Sequence, residues 1–223
     1  MEPNSLPATE RPGESAAGLW RTFLASTLVL AASLGLLFAA TEGGSAFTTE
    51  TLRRSAVMRA PQPIPDLLVI DATGTSASLL ARRAADPRVW IVDFVYTQCT
   101  SVCLSLGTVF QQLQAEIIAR GLQDQVGLVS VSFDPARDDA PALLAYASRW
   151  RIEPRVWQVL TLARPGDRRR LLDAFGIMVI PAPLGEFEHN AALHVVDAAG
   201  RLVRIVDHDD PGRALAVATA LTR

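Results

Sequence analysis

Val89-Trp-Ile-Val-Asp-Phe-Val-Tyr-Thr-Gln-Cys-Thr-Ser-Val-Cys103 decides how this chain folds. Its first seven residues are a nearly continuous apolar run rich in β-branched and aromatic side chains, the pattern of a strand buried on both faces. Cys99 and Cys103, the only two cysteines among 223 residues, follow at once. After them Leu106, Val109, Phe110, Leu113, Ile117 and Ile118 recur with helical period, and Gly121 closes that helix. The cysteines therefore stand where a strand hands over to a helix. Their i, i+4 spacing lets both sulfurs face one way, about one helical turn apart. It is neither a zinc-finger spacing nor C-x-x-C. Two thiols so placed can hold one soft metal ion or close reversibly on each other. A helix N-terminus favours the thiolate that both reactions need. A pair of inert buried cysteines is the alternative, and the polar neighbours Thr97, Gln98, Thr100 and Ser101 speak against it.

Outward from this junction the same rules place the other elements. Leu67–Asp71 with Gly74 gives a short strand and turn, and Val126–Phe133 a second central strand. Pro141–Trp150 reads as a helix, Val156–Leu162 as a third strand and Gly166–Phe175 as another helix. Ala192–Asp197 and Leu202–Val206 flank Ala198-Ala199-Gly200 as a hairpin, and Pro211–Leu221 closes the chain as a helix with proline at its start. The order β-α-β-α-β-α-β-β-α implies an α/β mixed sheet with helices on its faces.

Residues 1–21 are polar, carry Pro3, Pro7 and Pro12, and read as a disordered tail. Residues 22–40 contain no charge; as a helix they span roughly 28 Å, close to a bilayer's hydrocarbon core. Trp20 and Arg21 stand at one edge, where an interfacial aromatic and a snorkelling cation belong. A retained transmembrane anchor fits better than a cleaved signal peptide, whose apolar core is shorter and whose leading segment is basic. Residues 41–65, with Gly43-Gly44 and Pro61, Pro63 and Pro65, read as a linker, and 66–223 as the globular domain. The net charge of −2 and the absence of a basic stripe argue against nucleic acid. All 21 basic residues are arginine, which we read as a compositional habit rather than as anion recognition.

Of three histidines, His189 lies in the polar stretch Gly185-Glu-Phe-Glu-His-Asn190, read as a loop ahead of a strand. A neutral imidazole brought to the cysteines would complete a two-sulfur, one-nitrogen set suited to copper; a solvated surface residue is the alternative. His194 falls within a strand and either packs or points outward, and His208 reads as a solvated turn. Asp134, in Ser130-Val-Ser-Phe-Asp-Pro-Ala-Arg-Asp138, stands at a strand end, where α/β sheets collect functional groups. It could steady the histidine or the cysteine loop, or merely cap the next helix, while Arg137 could pair with Asp138.

Phe94-Val-Tyr-Thr-x-Cys-x-x-x-Cys103, Val131-Ser-Phe-Asp-Pro-x-x-Asp138 and a histidine eleven residues before Gly200 together resemble the Sco/SenC proteins. The resemblance covers about residues 65–222 and extends to the anchor and linker. It implies a thioredoxin-like mixed sheet flanked by helices behind one N-terminal transmembrane helix. It also implies a copper site, Cu(I) or Cu(II), of Cys99, Cys103 and His189, with Asp134 in support. Thr100 and Leu104 stand where the family commonly has proline, which leaves the ligand atoms in place but changes the loop.

The function so implied is that of a metallochaperone held in the bacterial inner membrane, its domain in the periplasm. It would deliver copper to the dinuclear centre of cytochrome c oxidase, or keep that centre's thiols reduced. The expected partner is the copper-bearing oxidase subunit or another copper chaperone. The rival reading is a membrane-anchored thiol–disulfide oxidoreductase in which Cys99 and Cys103 are the redox pair and His189 is incidental. A peroxidase on the same fold and a purely structural module rank below it.

Overall fold

The computed structural model describes residues 16–41, 43, 48–99 and 102–222; the side chains of residues 16, 17, 102–104 and 184 also lie outside the described set. The chain divides into two units, Met1–Arg53 and Arg54–Arg223. In chain order the elements are α1 Ala16–Ala40, α2 Thr49–Arg59, β1 Gln62–Pro63, β2 Leu68–Asp71, β3 Ser76–Ser78, α3 Leu79–Ala85 and β4 Val89–Val95. Then come α4 Val102–Ala119, β5 Val126–Ser132, α5 Ala140–Arg149, β6 Trp157–Leu162 and α6 Arg168–Phe175. The last are β7 Val179–Pro181, β8 Phe187–His189, β9 Ala192–Val196, β10 Arg201–Asp207 and α7 Pro211–Ala220.

In the first unit, Gly18–Ala40 of α1 is long and apolar enough to cross a membrane, and it is exposed throughout. The helix begins at Ala16, inside the stretch read as a tail, because Ala16–Trp20 carries no helix breaker beyond Gly18. Residues 1–15 lie outside the described set.

The second unit is a mixed eight-stranded sheet in the order β1-β10-β9-β4-β5-β6-β2-β3. Its centre, β4, β5 and β6, is parallel, and the flanking pairs are antiparallel. This is the expected thioredoxin-like arrangement. All seven residues of β4 are buried because both faces are covered. Trp90, Val92 and Phe94 join Leu79 of α3 and Leu171 and Phe175 of α6 on one side. Val89, Ile91 and Val95 join Phe110 and Leu113 of α4, Tyr146 of α5 and Leu215 of α7 on the other. Side-chain alternation along the strand thus divides the core into two layers.

The compact unit starts earlier than composition suggests. The stretch read as a linker contains α2, and Val57 and Ile64 are buried in the first core layer. Pro63, lacking an N–H, is accommodated because β1 is an edge strand paired with β10. Strands β1, β3, β7 and β8 have only two or three residues each, too short to show a period. Helix α3 has seven, and its N-cap Ser78 accepts from the Ala81 amide.

Candidate metal centre

Strand β4 ends at Val95, and the chain then turns tightly, with the Cys99 amide donating to the Tyr96 carbonyl at 3.2 Å. Asp138 holds this turn. Its buried carboxylate accepts from the Thr97 amide at 2.9 Å, the Thr97 hydroxyl at 2.6 Å and the Ser132 hydroxyl at 2.5 Å. Ser132 ends the neighbouring strand β5, so one carboxylate ties the cysteine turn to the end of the next strand. Cys99 is 4% exposed, packed in the first core layer. Cys103 belongs by its backbone to the first turn of α4; its side chain and residues Thr100 and Ser101 lie outside the described set.

His189 reaches this turn from a separate two-stranded sheet, β7–β8, in which it faces Val179. It is thus a strand residue, not a loop residue as its polar neighbours suggest. Val179 and Phe187 pack against the core, while Met178 and Ile180 are exposed. Asn190 anchors the base of the hairpin, accepting from the Met178 amide at 2.7 Å and donating to the Gly176 carbonyl at 3.1 Å. Gly176 has φ +63°, the left-handed conformation that ends α6 and starts the chain toward β7.

Phe133, fully buried at the end of β5, is the floor of the site. The His189 ring stands edge-on to it at 5.2 Å, and Tyr96 and Phe187 pack on it at 5.5 and 5.8 Å. Burial lowers the pKa of His189, and its interaction with the nearby Cys99 sulfur offsets only part of that. The imidazole is therefore neutral at pH 7, as a metal ligand or a proton acceptor must be. Its Nδ1 lies 3.4 Å from the Asn190 carbonyl oxygen. Cys99 and His189 are thus brought together, from segments ninety residues apart in the sequence.

Of the roles open to Asp134, its contacts lead to the histidine hairpin rather than to the cysteine turn. It pairs with Arg137, and that guanidinium also donates to the Gly185 carbonyl at 2.8 Å, so Asp134 acts on the hairpin through Arg137. The carboxylate that steadies the cysteine turn is Asp138, and Arg137 pairs with Asp134 rather than with it. Arg137 also stands over the rings of Tyr96 and Phe187, at 5.7 and 5.1 Å. His194 is wholly buried between Phe94 and Phe175, at 5.4 and 5.6 Å, in the core rather than the site. His208 lies in the turn between β10 and α7. Among the described side chains no cluster of three His, Cys, Asp or Glu residues forms a metal-binding group.

The SCO1/SenC family model matches residues 70–222, which takes in the sheet except β1 and the first half of β2, the cysteine turn and the β7–β8 hairpin. The chain belongs to the SCO1/SenC family. A SCO1 protein homolog of Bacillus subtilis is 24% identical over 122 residues, 52% of this chain and 60% of that protein. The matched region thus spans less than two thirds of that relative. A SCO1/SenC family lipoprotein from Bacillus anthracis superposes with a TM-score of 0.65 at 20% identity, covering 74% of this chain and 99% of that one. Copper-bound ScoI from Arabidopsis thaliana superposes with a TM-score of 0.58 at 15% identity, covering 70% and 97%. At such identities these structures speak for the fold. Within the family frame, the residues not evident from sequence are Asp138, Tyr96, Phe133 and Glu186, whose carboxylate accepts from the Tyr96 hydroxyl. Asp138 lies in the same Asp-Pro segment as Asp134, so the motif contained it; only its partners in space distinguish the two.

Proposed function

We propose that this protein is a membrane-anchored copper-binding assembly factor, with Cys99, Cys103 and His189 as the ligands. The observation that carries the reading is the approach of a neutral, half-buried imidazole to Cys99 from a hairpin outside the main sheet. Thiolate and imidazole together suit copper: sulfur favours Cu(I), and nitrogen helps accommodate Cu(II). Cys103, four residues beyond Cys99 and in the first turn of α4, would supply the second sulfur. The copper-bound relative and the family's place among cytochrome c oxidase assembly proteins support the same reading. Copper is cargo here, and the copper-bearing subunit of the oxidase, or another copper chaperone, would receive or supply it.

Helix α1 would be a single-pass anchor in a bacterial inner membrane, with the unit from Arg54 onward on the periplasmic side. Asp134 would support the site through Arg137 and the hairpin. A thiol–disulfide role is the second reading, favoured by the position of Cys99 where β4 gives way to α4. Anaerobic copper titration of the reduced whole chain in detergent separates them. One equivalent should bind tightly, and His189→Ala should weaken binding by at least about tenfold. Disulfide exchange without tight copper, or binding indifferent to His189, would leave the reductase.

A further inference from the structure

Helix α6 turns one arginine toward this site. Leu171, Leu172 and Phe175 are its buried residues, and Arg168 precedes them by three, four and seven positions, so it lies on the same face. Its guanidinium stands over the Phe133 ring at 5.5 Å and over the Phe187 ring at 4.7 Å. Phe133 is also the ring on which His189 rests, so guanidinium and imidazole both lie within 5.5 Å of one ring centre. The other charges here are already engaged. Asp134 pairs with Arg137, Asp138 accepts three hydrogen bonds, and Glu186 accepts from the Tyr96 hydroxyl. On the outer face of α6, Arg169 pairs with Asp173. Among the described residues the half-buried Arg168 side chain has no carboxylate partner. Two aromatic rings hold this cation in place, and neither cancels its charge.

We propose that Arg168 sets the oxidation-state preference of the site, favouring Cu(I) over Cu(II). The inference rests on the reading of Cys99, Cys103 and His189 as the copper ligands. Two thiolates and a neutral imidazole carry two negative charges, so the Cu(I) complex keeps one and the Cu(II) complex none. A fixed cation nearby stabilises the first and is indifferent to the second. The carboxylates of Asp138 and Glu186 act in the opposite direction, drawing in the more highly charged ion. Arg168 opposes them.

The test is the affinity of the reduced whole chain in detergent for Cu(I) and, separately, for Cu(II). Each is measured anaerobically by competition with a chromophoric chelator, and thiolate-to-Cu(II) absorption shows that the dithiol is intact. Arg168→Met keeps an adaptable side chain against both rings and removes the charge. It should raise the Cu(II)-to-Cu(I) affinity ratio about fivefold at low salt, and the gain should shrink at about 0.5 M salt, where a charge effect is screened. Arg168→Lys keeps the charge and should leave the ratio within about twofold of the wild type. Loosened packing would act with the opposite sign: a hairpin held less well would weaken the imidazole, the ligand that helps accommodate Cu(II), and so lower the ratio. Near-ultraviolet circular dichroism checks that both variants remain folded. An unchanged or lowered ratio in Arg168→Met, or an equal rise in Arg168→Lys, would overturn the proposal and leave the copper site standing. A wild-type chain that binds neither ion would overturn it together with the copper reading.

Discussion

The cysteine turn and the β7–β8 hairpin contribute to one site but are built in opposite ways. The turn hangs from the two central strands β4 and β5, both fully buried, and Asp138 fastens it with three hydrogen bonds. The hairpin stands apart from the main sheet, leaves Met178 and Ile180 exposed, and is tied down at its base by Asn190 and near its turn by Arg137. On the proposed copper-carrier function, a site that must hold a cargo and then give it up would benefit from this asymmetry. One half is fixed and defines the position; the other can yield without unfolding the domain. Local opening of this kind draws on the least stable segments of a fold.

The contrast breaks most severely at Asp138. Asp138→Ala leaves the Thr97 amide, the Thr97 hydroxyl and the Ser132 hydroxyl without their acceptor in a buried place. We expect a loss of about 3 kcal/mol in urea unfolding. A loss under about 0.5 kcal/mol, the range of ordinary surface changes, would mean the turn is not the fixed half.

Asp93 tests the same half through pH. It lies on β4 opposite Ser130, wholly buried, and burial pushes its carboxyl up to about 8. Unfolding releases that proton anywhere between the unfolded pKa of about 4 and the folded one, so the folded state binds more protons there and stability falls as pH rises. The slope is about 1.4 kcal/mol per pH unit from this one group. Asp93→Asn removes it, so the variant should gain on the wild type from pH 5 to pH 7.5 in denaturant melts. Parallel curves would contradict this.

The smallest effect on global stability belongs to the hairpin. Asn190→Ala removes the two hydrogen bonds at its base and should cost about 1 kcal/mol or less. Hydrogen exchange should nonetheless show β7 and β8 amides losing protection while β4 and β5 keep theirs. Equal loss in both would mean the halves are not mechanically distinct.

The same asymmetry explains what could be read from the sequence. The fixed half was legible because β4, α4 and β5 are long and periodic, and because a strand buried on both faces needs an unbroken apolar run. His189 could be singled out by its chain position relative to Gly200, but its strand could not, since three residues with polar neighbours show no period. The hold of Asp138 on the cysteine turn was hidden for another reason. It is a contact across 41 residues, and the sequence reading singles out Asp134 at the strand end, with Asp138 only as a partner for Arg137. Composition likewise marked residues 41–65 as linker through their prolines and glycines, whereas Val57 and Ile64 pack into the domain core.

The central claim is that sulfur from the fixed half and nitrogen from the yielding half meet on one copper ion. X-ray absorption at the copper edge of the reduced whole chain, loaded with one equivalent, tests it most directly. The account predicts a shell of two sulfurs and one imidazole nitrogen, with the imidazole lost and both sulfurs kept in His189→Ala. A sulfur-only shell in the wild type, or an imidazole signal that survives the substitution, would contradict it.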